Sequence, residues 1–271
     1  MLLTVFAVLG VAASIWICTA NSLGFGWGIL IALGGTLAAL IAFLLLVALL
    51  SVFIRIDRPA DRRTRFYRWL ATNLVELGEF LLRVRVHTQG MERIPQDSRF
   101  LLVCNHRTIF DPPITMAALS QFGLAFISKK ENYQIPIVNK LMHMCFCLPL
   151  DREDNRAAVR TINEAVELLD DNVVSMGIYP ERKCNLTEEI LLPFRNGAFK
   201  IAQKAKVPIV IATIHTTTEI MKNFPRRATD IYLNILDVLP YGGEVRAQTK
   251  DISEYVWPVM YEDLCRPMPR E

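Results

Sequence analysis

Charge of either sign is missing from the beginning of this chain. No Asp, Glu, Lys, Arg or His occurs among residues 1–54 of the 271-residue sequence. A surface helix of a soluble protein carries polar and charged residues on its solvated face, so this absence excludes an ordinary soluble segment. Two apolar runs here are each long enough to cross a hydrocarbon core of about 30 Å as a helix. We therefore predict a transmembrane or membrane-embedded helical hairpin over residues 1–54, which reverses at the polar and flexible stretch 21–26.

The first apolar run also lacks the basic residues that precede the apolar core of a signal peptide, and a second run follows it. Cleavage of the first run is therefore the weaker alternative. Small residues recur at helical spacing in the second run, at Gly28, Ala32, Gly35 and Ala39. Such residues let two membrane helices approach closely, although they are also common in spans that do not pack in this way.

Positive charge begins directly after the second run. Six arginines follow in one short segment: Arg55, Arg58, Arg62, Arg63, Arg65 and Arg68. Basic residues that flank a span stay on the cytoplasmic side, so we expect a membrane protein whose remaining domain is cytoplasmic. Residues 55–84 are predicted to form a basic juxtamembrane helical segment that can also bind the headgroups of the lipid bilayer. Because the formal net charge of the chain is only +3, a nucleic-acid partner is not expected.

The six cysteines are scattered, and a cytoplasmic domain would keep them reduced. His143, Cys145 and Cys147 are conceivable metal ligands, but no second ligand pair lies near them in the sequence. We therefore favour buried small residues over a zinc site, and no metal is expected.

From residue 85 onward, short β-rich runs alternate with segments of helical periodicity. This alternation predicts one α/β domain over residues 85–271, with a mixed or mostly parallel sheet flanked by helices. Ligands in such sheets bind beyond the carboxyl ends of the strands. Three polar segments follow apolar strands: CNHRTIFDPP from Cys104, LDRED from Leu150 and YPERKCN from Tyr179. We predict that they converge on one cleft.

His106 and Asp111 lie five residues apart, where the first polar segment turns from a strand into a helix. Imidazole titrates near neutral pH, so it can take a proton from an alcohol during bond formation. A nearby Asp can hold the imidazole in the required tautomer and stabilise the imidazolium that results. The same residues also fit a simpler interpretation, in which Asp111 only caps the helix and His106 is an ordinary loop residue.

The other two polar segments contribute Arg152, Glu181, Arg182 and Lys183. Arg binds phosphate through its planar guanidinium and Lys adds a point charge, so these cations beside a base would suit an alcohol that carries a phosphate. Alternatively, each cation is a solvated surface residue.

Four sequence blocks in this domain resemble the glycerolipid acyltransferases, and more closely those that act on 1-acyl-glycerol-3-phosphate. NHRTIFD matches the N-H-x4-D motif of that family, LPLDR resembles its second block, and YPE resembles the start of its Phe-Pro-Glu-Gly-Thr-Arg block. The fourth block, LLPFRNGAFKIAQKAKVPIV, is similar to the segment that leads into a buried Val-Pro-Ile strand. The order and approximate spacing hold from about residue 85 to residue 215. Four blocks in order are far more specific than any one of them.

The resemblance implies a membrane-anchored enzyme that transfers a fatty acyl group from acyl-CoA or acyl-carrier-protein to a lysophospholipid. The acceptor would be 1-acyl-glycerol-3-phosphate, and the product phosphatidate. His106 would deprotonate the free hydroxyl and Asp111 would orient His106. Because the donor is already an activated thioester, neither a cofactor nor a covalent nucleophile is required. Cys104 beside the motif is better explained as a buried thiol than as a nucleophile.

Within the same resemblance, Arg152 and either Arg182 or Lys183 would hold the phosphate, while Glu181 would accept a hydrogen bond from the glycerol. The third block departs from the family pattern, because Arg182, Lys183 and Cys184 stand where the family has Gly-Thr-Arg. Two alternatives therefore stay open. The acceptor could be a lysophospholipid with another headgroup, or the chain could be a non-enzymatic lipid-binding membrane protein with the same fold.

Overall fold

Seven β-strands form a mixed sheet in the described part of the chain. The structure, a computed structural model, describes residues 12–13, 15–19, 25–57, 60, 64–242 and 248–267. The strands are β1 (Val84–Gln89), β2 (Leu101–Val103), β3 (Leu124–Lys129), β4 (Leu148–Leu150), β5 (Ser175–Ile178), β6 (Ile209–His215) and β7 (Thr229–Leu239). Their order is β1-β7-β6-β2-β5-β3-β4, and every neighbouring pair is parallel except β6 with β7. The prediction of a mixed, mostly parallel α/β sheet is confirmed.

Helices lie between the strands and before them. Their bounds are α1 (Phe25–Val52), α2 (Thr64–Leu81), α3 (Asp111–Ala118), α4 (Val138–Met144), α5 (Asn155–Asp170), α6 (Lys200–Ala205), α7 (Ile220–Asn223) and α8 (Thr249–Leu264). Residues 12–13 and 15–19 are also helical. Helix α5 is amphipathic, because Thr161, Ala165 and Leu169 are buried on one face, and Asp154 caps its first turn.

The core follows the apolar runs of the sequence. Every residue of β6 is buried, as its almost continuous apolar run predicts. Strands β2 to β6 run in one direction, so their carboxyl ends share one edge of the sheet. That edge receives the three polar segments, because they follow β2, β4 and β5. The apolar stretch before Cys145, whose type the sequence pattern left undecided between strand and helix, contains helix α4, and the sequence pattern did not identify β1.

Helix α1 contains the one candidate membrane span found among the described residues. Trp27–Val52 is long and apolar enough to cross a membrane, and most of this helix is exposed. A Cβ atom on Gly28 would lie 3.2 Å from Cys18 Sγ, whereas one on Gly35 would meet nothing within 4 Å. The helical segment that contains Cys18 therefore approaches α1 closely at Gly28, as expected for a small residue. Most of the first apolar run, and residues 21–24 of the predicted reversal, lie outside the described residues.

The carboxyl-terminal half of α1 packs against the α/β domain. Phe43 and Val47 of α1 join Leu70 and Leu77 of α2 and Leu141 of α4 in one apolar cluster. This cluster places the site-bearing domain directly beside the apolar helix.

Arg68 of helix α2 forms hydrogen bonds with backbone atoms of strand β3 and of the residue after α4. Its guanidinium donates to the backbone oxygen of Leu124, at 2.9 Å, and to that of Cys145, at 3.5 Å. Arg68 is thus engaged by the protein itself, whereas the sequence suggested a lipid headgroup as its partner.

Candidate active site

His106 and Asp111 form a hydrogen-bonded pair just beyond the carboxyl end of β2. His106 Nδ1 lies 2.9 Å from Asp111 Oδ2, and Asp111 is completely buried. The carboxylate can only accept, so Nδ1 donates, and Nε2 is left to exchange a proton with another group. The pair has the geometry of an imidazole base with an orienting carboxylate.

Asp111 also organises the loop before it. Its Oδ2 accepts from the backbone N–H groups of Arg107, at 2.6 Å, and Thr108, at 2.7 Å. Asp111 is the first residue of α3, and Phe110 holds the cap position without a side-chain bond. The expectation that Asp111 caps this helix is wrong. Residues 112 and 113 are prolines and have no N–H to offer, so the carboxylate turns back toward the loop.

Asn105 fixes the start of this loop to the neighbouring strand. Its side-chain nitrogen donates to Ile214 O at 3.0 Å, and its side-chain oxygen accepts from Ile214 N at 2.8 Å. Asn105 is completely buried, so these bonds satisfy an amide that has no access to water. On the other side, Asn185 N donates to His106 O at 2.7 Å. His106 is therefore held by residues from two other parts of the sheet edge.

Cys184 contacts Nε2 of His106, the ring nitrogen that Asp111 does not contact. Its Sγ lies 3.0 Å from His106 Nε2, and its side chain is partly exposed. Cys184 stands at the third of the three positions where the sequence departs from the family pattern. At this position the resembled family has an arginine, whereas this chain has a cysteine whose sulfur atom contacts the imidazole.

The ring of His106 is packed as well as hydrogen-bonded. It stacks on Tyr179 with a centroid distance of 4.2 Å, and Tyr179 stacks on Phe126 at 5.0 Å. Burial favours the neutral imidazole and lowers its pKa, but hydrogen bonds to Asp111 and Cys184 favour the cation more strongly. The balance raises the pKa of His106 to about 9.

Glu181 joins the third polar segment to the first. Its two carboxylate oxygens accept from His106 N at 2.7 Å and from Leu192 N at 3.0 Å. Burial raises the pKa of this carboxyl group. Glu181 also lines a cavity of about 320 Å³ together with Lys183, Leu192, Pro193, Phe194 and Arg195. Its expected contact with the glycerol of a substrate stays a prediction.

Arg152 and Arg182 lie together, whereas Lys183 lines the cavity beside Glu181. Arg182 donates from Nη2 to the backbone oxygen of Arg152 at 2.6 Å. Burial lowers the pKa of Arg152, and the nearby charge of Arg182 lowers it further. The buried Nε atom of Arg152 has no hydrogen-bond partner among the described residues. An anion bound between these two arginines would offset their mutual repulsion and could accept a hydrogen bond from the unpartnered Nε.

The structure contains two further His–Asp contacts that sequence reasoning missed, because it identified only His106 beside a carboxylate. His215 Nε2 lies 2.8 Å from Asp263 Oδ2, and His87 Nε2 lies 2.9 Å from Asp230 Oδ1. Neither pair is close in the sequence, so spacing along the chain carried no signal for them. Tyr179 and Cys184 are also distant from His106 in the sequence, so spacing did not identify them as its neighbours.

Three other thiols of the domain are enclosed. Cys104, Cys145 and Cys147 are buried, and burial raises the pKa of the Cys104 thiol well above its usual range. Such a thiol forms little thiolate at neutral pH. Among the residues that the structure describes, no three His, Cys, Asp or Glu side chains are grouped as metal ligands would be.

Comparison with known proteins finds a family match over the segment that contains these residues. The family model described as Acyltransferase matches residues 85–215, which include His106, Asp111 and the three polar segments. The match covers just under half of the chain, and it confirms the resemblance that the four sequence blocks indicated. The solved structure of the 1-acyl-sn-glycerophosphate (LPA) acyltransferase of Thermotoga maritima has the same fold, with a TM-score of 0.63 and 22% identity. The match covers 98% of this chain and all of that one.

Several similar proteins bear the name 1-acyl-sn-glycerol-3-phosphate acyltransferase. The protein of Saccharomyces cerevisiae is 26% identical over 53% of this chain and 47% of its own length. A chloroplastic protein of Brassica napus is 29% identical over 72% of this chain and 54% of its own length. The protein of Haemophilus influenzae is 28% identical over 62% of this chain and 71% of its own length. The chain thus spans about half the length of the first two relatives.

Proposed function

We propose that the protein transfers a fatty acyl group from an acyl thioester to the free hydroxyl of 1-acyl-glycerol-3-phosphate, giving phosphatidate. The observation that carries this proposal is the 2.9 Å contact of His106 Nδ1 with the buried carboxylate of Asp111 inside the family segment. The names of the relatives support the choice of acceptor.

His106 is the proposed base for the acceptor. Its Nε2 removes the hydroxyl proton as the oxygen attacks the activated acyl carbonyl carbon. Asp111 holds Nδ1 protonated, which keeps Nε2 as the accepting nitrogen and stabilises the imidazolium. Stacking on Tyr179 restricts rotation of the ring and favours one orientation toward the substrate.

Arg152 and Arg182 are the proposed phosphate ligands. Their proximity, and the unpartnered Nε of Arg152, support a bridging anion at this point. Lys183 is the less favoured alternative, since it lines the cavity beside Glu181. Glu181 is proposed to accept a hydrogen bond from the glycerol, in addition to its two backbone contacts.

The acyl donor is proposed to be acyl-CoA or acyl-carrier-protein. Both present the acyl group as a thioester, which is already activated toward an alcohol, so the transfer as proposed requires no cofactor.

The membrane arrangement is also a proposal. Residues 1–54 would form the membrane hairpin, residues 55–84 the juxtamembrane segment and residues 85–271 the catalytic domain. The arginines after α1 favour a catalytic domain on the cytoplasmic side. Such an anchor confines the search for lipid acceptors to the membrane plane and raises their effective concentration.

Activity of the purified protein with lysophosphatidate and each acyl donor tests the function. We expect phosphatidate from the wild type and a roughly 10²–10⁴-fold lower rate from His106→Ala. His87→Ala is the matched control, because His87 also contacts an aspartate but lies on β1. Absence of any acyl transfer by the wild type would favour a lipid-binding protein and contradict the proposal.

A second acceptor is favoured by one observation. Arg182, Lys183 and Cys184 replace the Gly-Thr-Arg of the resembled family. Arg182 contacts Arg152, Lys183 lines the cavity beside Glu181, and Cys184 contacts His106. A panel of lysophospholipids with different headgroups, assayed at equal concentration, separates the two acceptors. A higher kcat/KM for another headgroup would keep the acyl-transfer reaction and change its substrate.

A further inference from the structure

Cys184, His106 and Asp111 form a continuous chain of contacts. Sγ lies 3.0 Å from Nε2, and Nδ1 lies 2.9 Å from the carboxylate. A nucleophile within hydrogen-bond reach of a base, with the base oriented by a third group, is the arrangement that covalent acyl transfer requires.

We propose that Cys184 is a covalent nucleophile, which accepts the acyl group from the thioester donor and passes it to the acceptor hydroxyl. This inference rests on the proposed acyl-transfer function and adds an acyl-enzyme intermediate to it. The chain thus contains a Cys-His-Asp triad where the His-Asp pair alone was expected.

Two backbone features hold Cys184 in place. Asn185, the next residue, donates from its N–H to His106 O at 2.7 Å. Arg182, two residues before, has a φ of 69°, in the left-handed region that non-glycine residues seldom adopt. Together they turn the segment so that Sγ faces Nε2. A partly exposed thiol in this position can be reached by a substrate, unlike the enclosed Cys104.

In the first step, the proton of the Cys184 thiol moves to His106 Nε2 as Sγ attacks the carbonyl carbon of the donor thioester. The bond between that carbon and the donor sulfur breaks. The departing donor thiolate takes the proton from Nε2 and leaves as a free thiol. One thioester is exchanged for another, so no oxidant, reductant or further reactant is consumed.

In the second step, Nε2 takes the proton of the acceptor hydroxyl, and its oxygen attacks the acyl carbon on Sγ. The carbon–sulfur bond breaks, and Sγ recovers a proton from Nε2. This order removes a conflict in direct transfer, where Sγ already occupies the nitrogen that must receive the hydroxyl proton. Once Sγ is acylated it has no proton to share, so Nε2 is free for the acceptor.

Exposed apolar side chains lie close to the triad along the chain. Leu186 follows Cys184 by two residues and is 87% exposed, while Ile109 lies between His106 and Asp111 and is 78% exposed. Isolated exposed apolar residues are ordinary, but two beside a thiol suit a fatty acyl chain that must lie across the protein surface.

The test is intact-protein and peptide mass spectrometry of the full chain in detergent, after mixing with long-chain acyl-CoA, and separately with acyl-carrier-protein thioester, without acceptor. We expect one acyl group on the peptide that contains Cys184, removed by hydroxylamine and absent from Cys184→Ala. Cys265→Ala is the matched control, because Cys265 is an exposed thiol at the end of α8 and should leave acylation unchanged.

Addition of lysophosphatidate to the acylated protein should discharge the acyl group and yield an equal amount of phosphatidate. Turnover by Cys184→Ala should fall at least 100-fold, and the two-substrate kinetics of the wild type should be ping-pong. A wild type that makes phosphatidate without an acyl-protein, together with a fully active Cys184→Ala, would overturn this inference and leave the proposed function standing. An acylated Cys184 that transfers to water or another alcohol, and never to lysophosphatidate, would support the intermediate and refute the proposed function. Neither acylation nor transfer would refute both.

Discussion

Arg182 donates a 2.6 Å hydrogen bond from its guanidinium to the backbone oxygen of Arg152. This bond joins the segment after β5 to the segment after β4, although the two strands are not neighbours in the sheet. Burial is the main cause of the lowered pKa of Arg152, and repulsion from the like charge of Arg182, which this bond brings close, lowers it further. An anionic headgroup would relieve that repulsion.

Removal of either arginine should therefore weaken binding of the phosphorylated acceptor. A charge-assisted contact contributes about 1.5–3 kcal/mol, so the apparent constant for lysophosphatidate should rise roughly tenfold to hundredfold in Arg152→Ala or Arg182→Ala. The constant for the acyl donor should change little. The two losses should be less than additive in the double variant, because both cations bind one group. Steady-state kinetics with each substrate varied in turn measures these effects.

Arg85→Ala is the control for this series, because Arg85 is an exposed arginine on β1. An equal rise in both substrate constants, or additive losses in the double variant, would show that the arginines do not share a phosphate.

Arg182→Gly should separate backbone strain from charge. The left-handed φ of 69° at Arg182 costs a non-glycine residue about 1–2 kcal/mol. Glycine adopts this conformation freely, and it is the residue that the resembled family has at this position. We expect Arg182→Gly to unfold at the same or a higher temperature than Arg182→Ala, while both lose acceptor affinity equally. Thermal unfolding in detergent measures the difference, and a lower transition for the glycine variant would contradict the strain.

Asp111→Asn should disable His106 while preserving the shape of the loop. An asparagine oxygen can still accept from the N–H groups of Arg107 and Thr108, but it no longer stabilises the imidazolium. We expect kcat to fall roughly 10²–10⁴-fold, with membrane extraction and thermal unfolding close to those of the wild type. Asp230→Asn, which alters the partner of His87, is the matched control. Wild-type turnover by Asp111→Asn would restrict Asp111 to a structural role.

The titration of His106 should respond to its two partners. The pKa of His106 is raised to about 9, with Asp111 and Cys184 as the groups that raise it. The neutral ring that the proposed proton transfers require is therefore the minor form below that pH, and its fraction increases as the pH rises through about 9. Loss of Sγ in Cys184→Ala should therefore lower the pKa. NMR titration of histidine-labelled protein measures it, with His106→Ala to assign the signal. A wild-type ring that titrates at its ordinary value would refute these contacts.

The orientation of the membrane segment is open to direct measurement. We expect the stretch 21–26 to face away from the cytoplasm and residues 55–70 to face it, because the arginines after α1 resist translocation. Single cysteines placed in each stretch of a cysteine-free variant, labelled from either side of sealed vesicles, give the answer. Labelling of residues 55–70 only from the outer side would reverse the proposed localisation.

Periodicity and spacing by themselves determined a large part of this protein. The charge-free start predicted an apolar membrane helix, and α1 has that character. Alternating strand and helix patterns predicted the mostly parallel sheet, because burial on both faces requires nearly continuous apolar strands. His106 and Asp111 could be paired from the sequence, since one loop spans the five residues between them.

Tertiary structure alone decided what surrounds that pair. Cys184 is 78 residues from His106, yet it contacts Nε2 because β2 pairs in parallel with β5, with Val103 opposite Ile178. This register brings the residues after both strands to one edge. Apolar periodicity shows that a strand is buried, but it does not show which strand lies beside it, because any buried neighbour satisfies the same pattern. For that reason the sequence could pair His106 with Asp111, whereas the contact of Cys184 with Nε2 emerged only from the folded sheet.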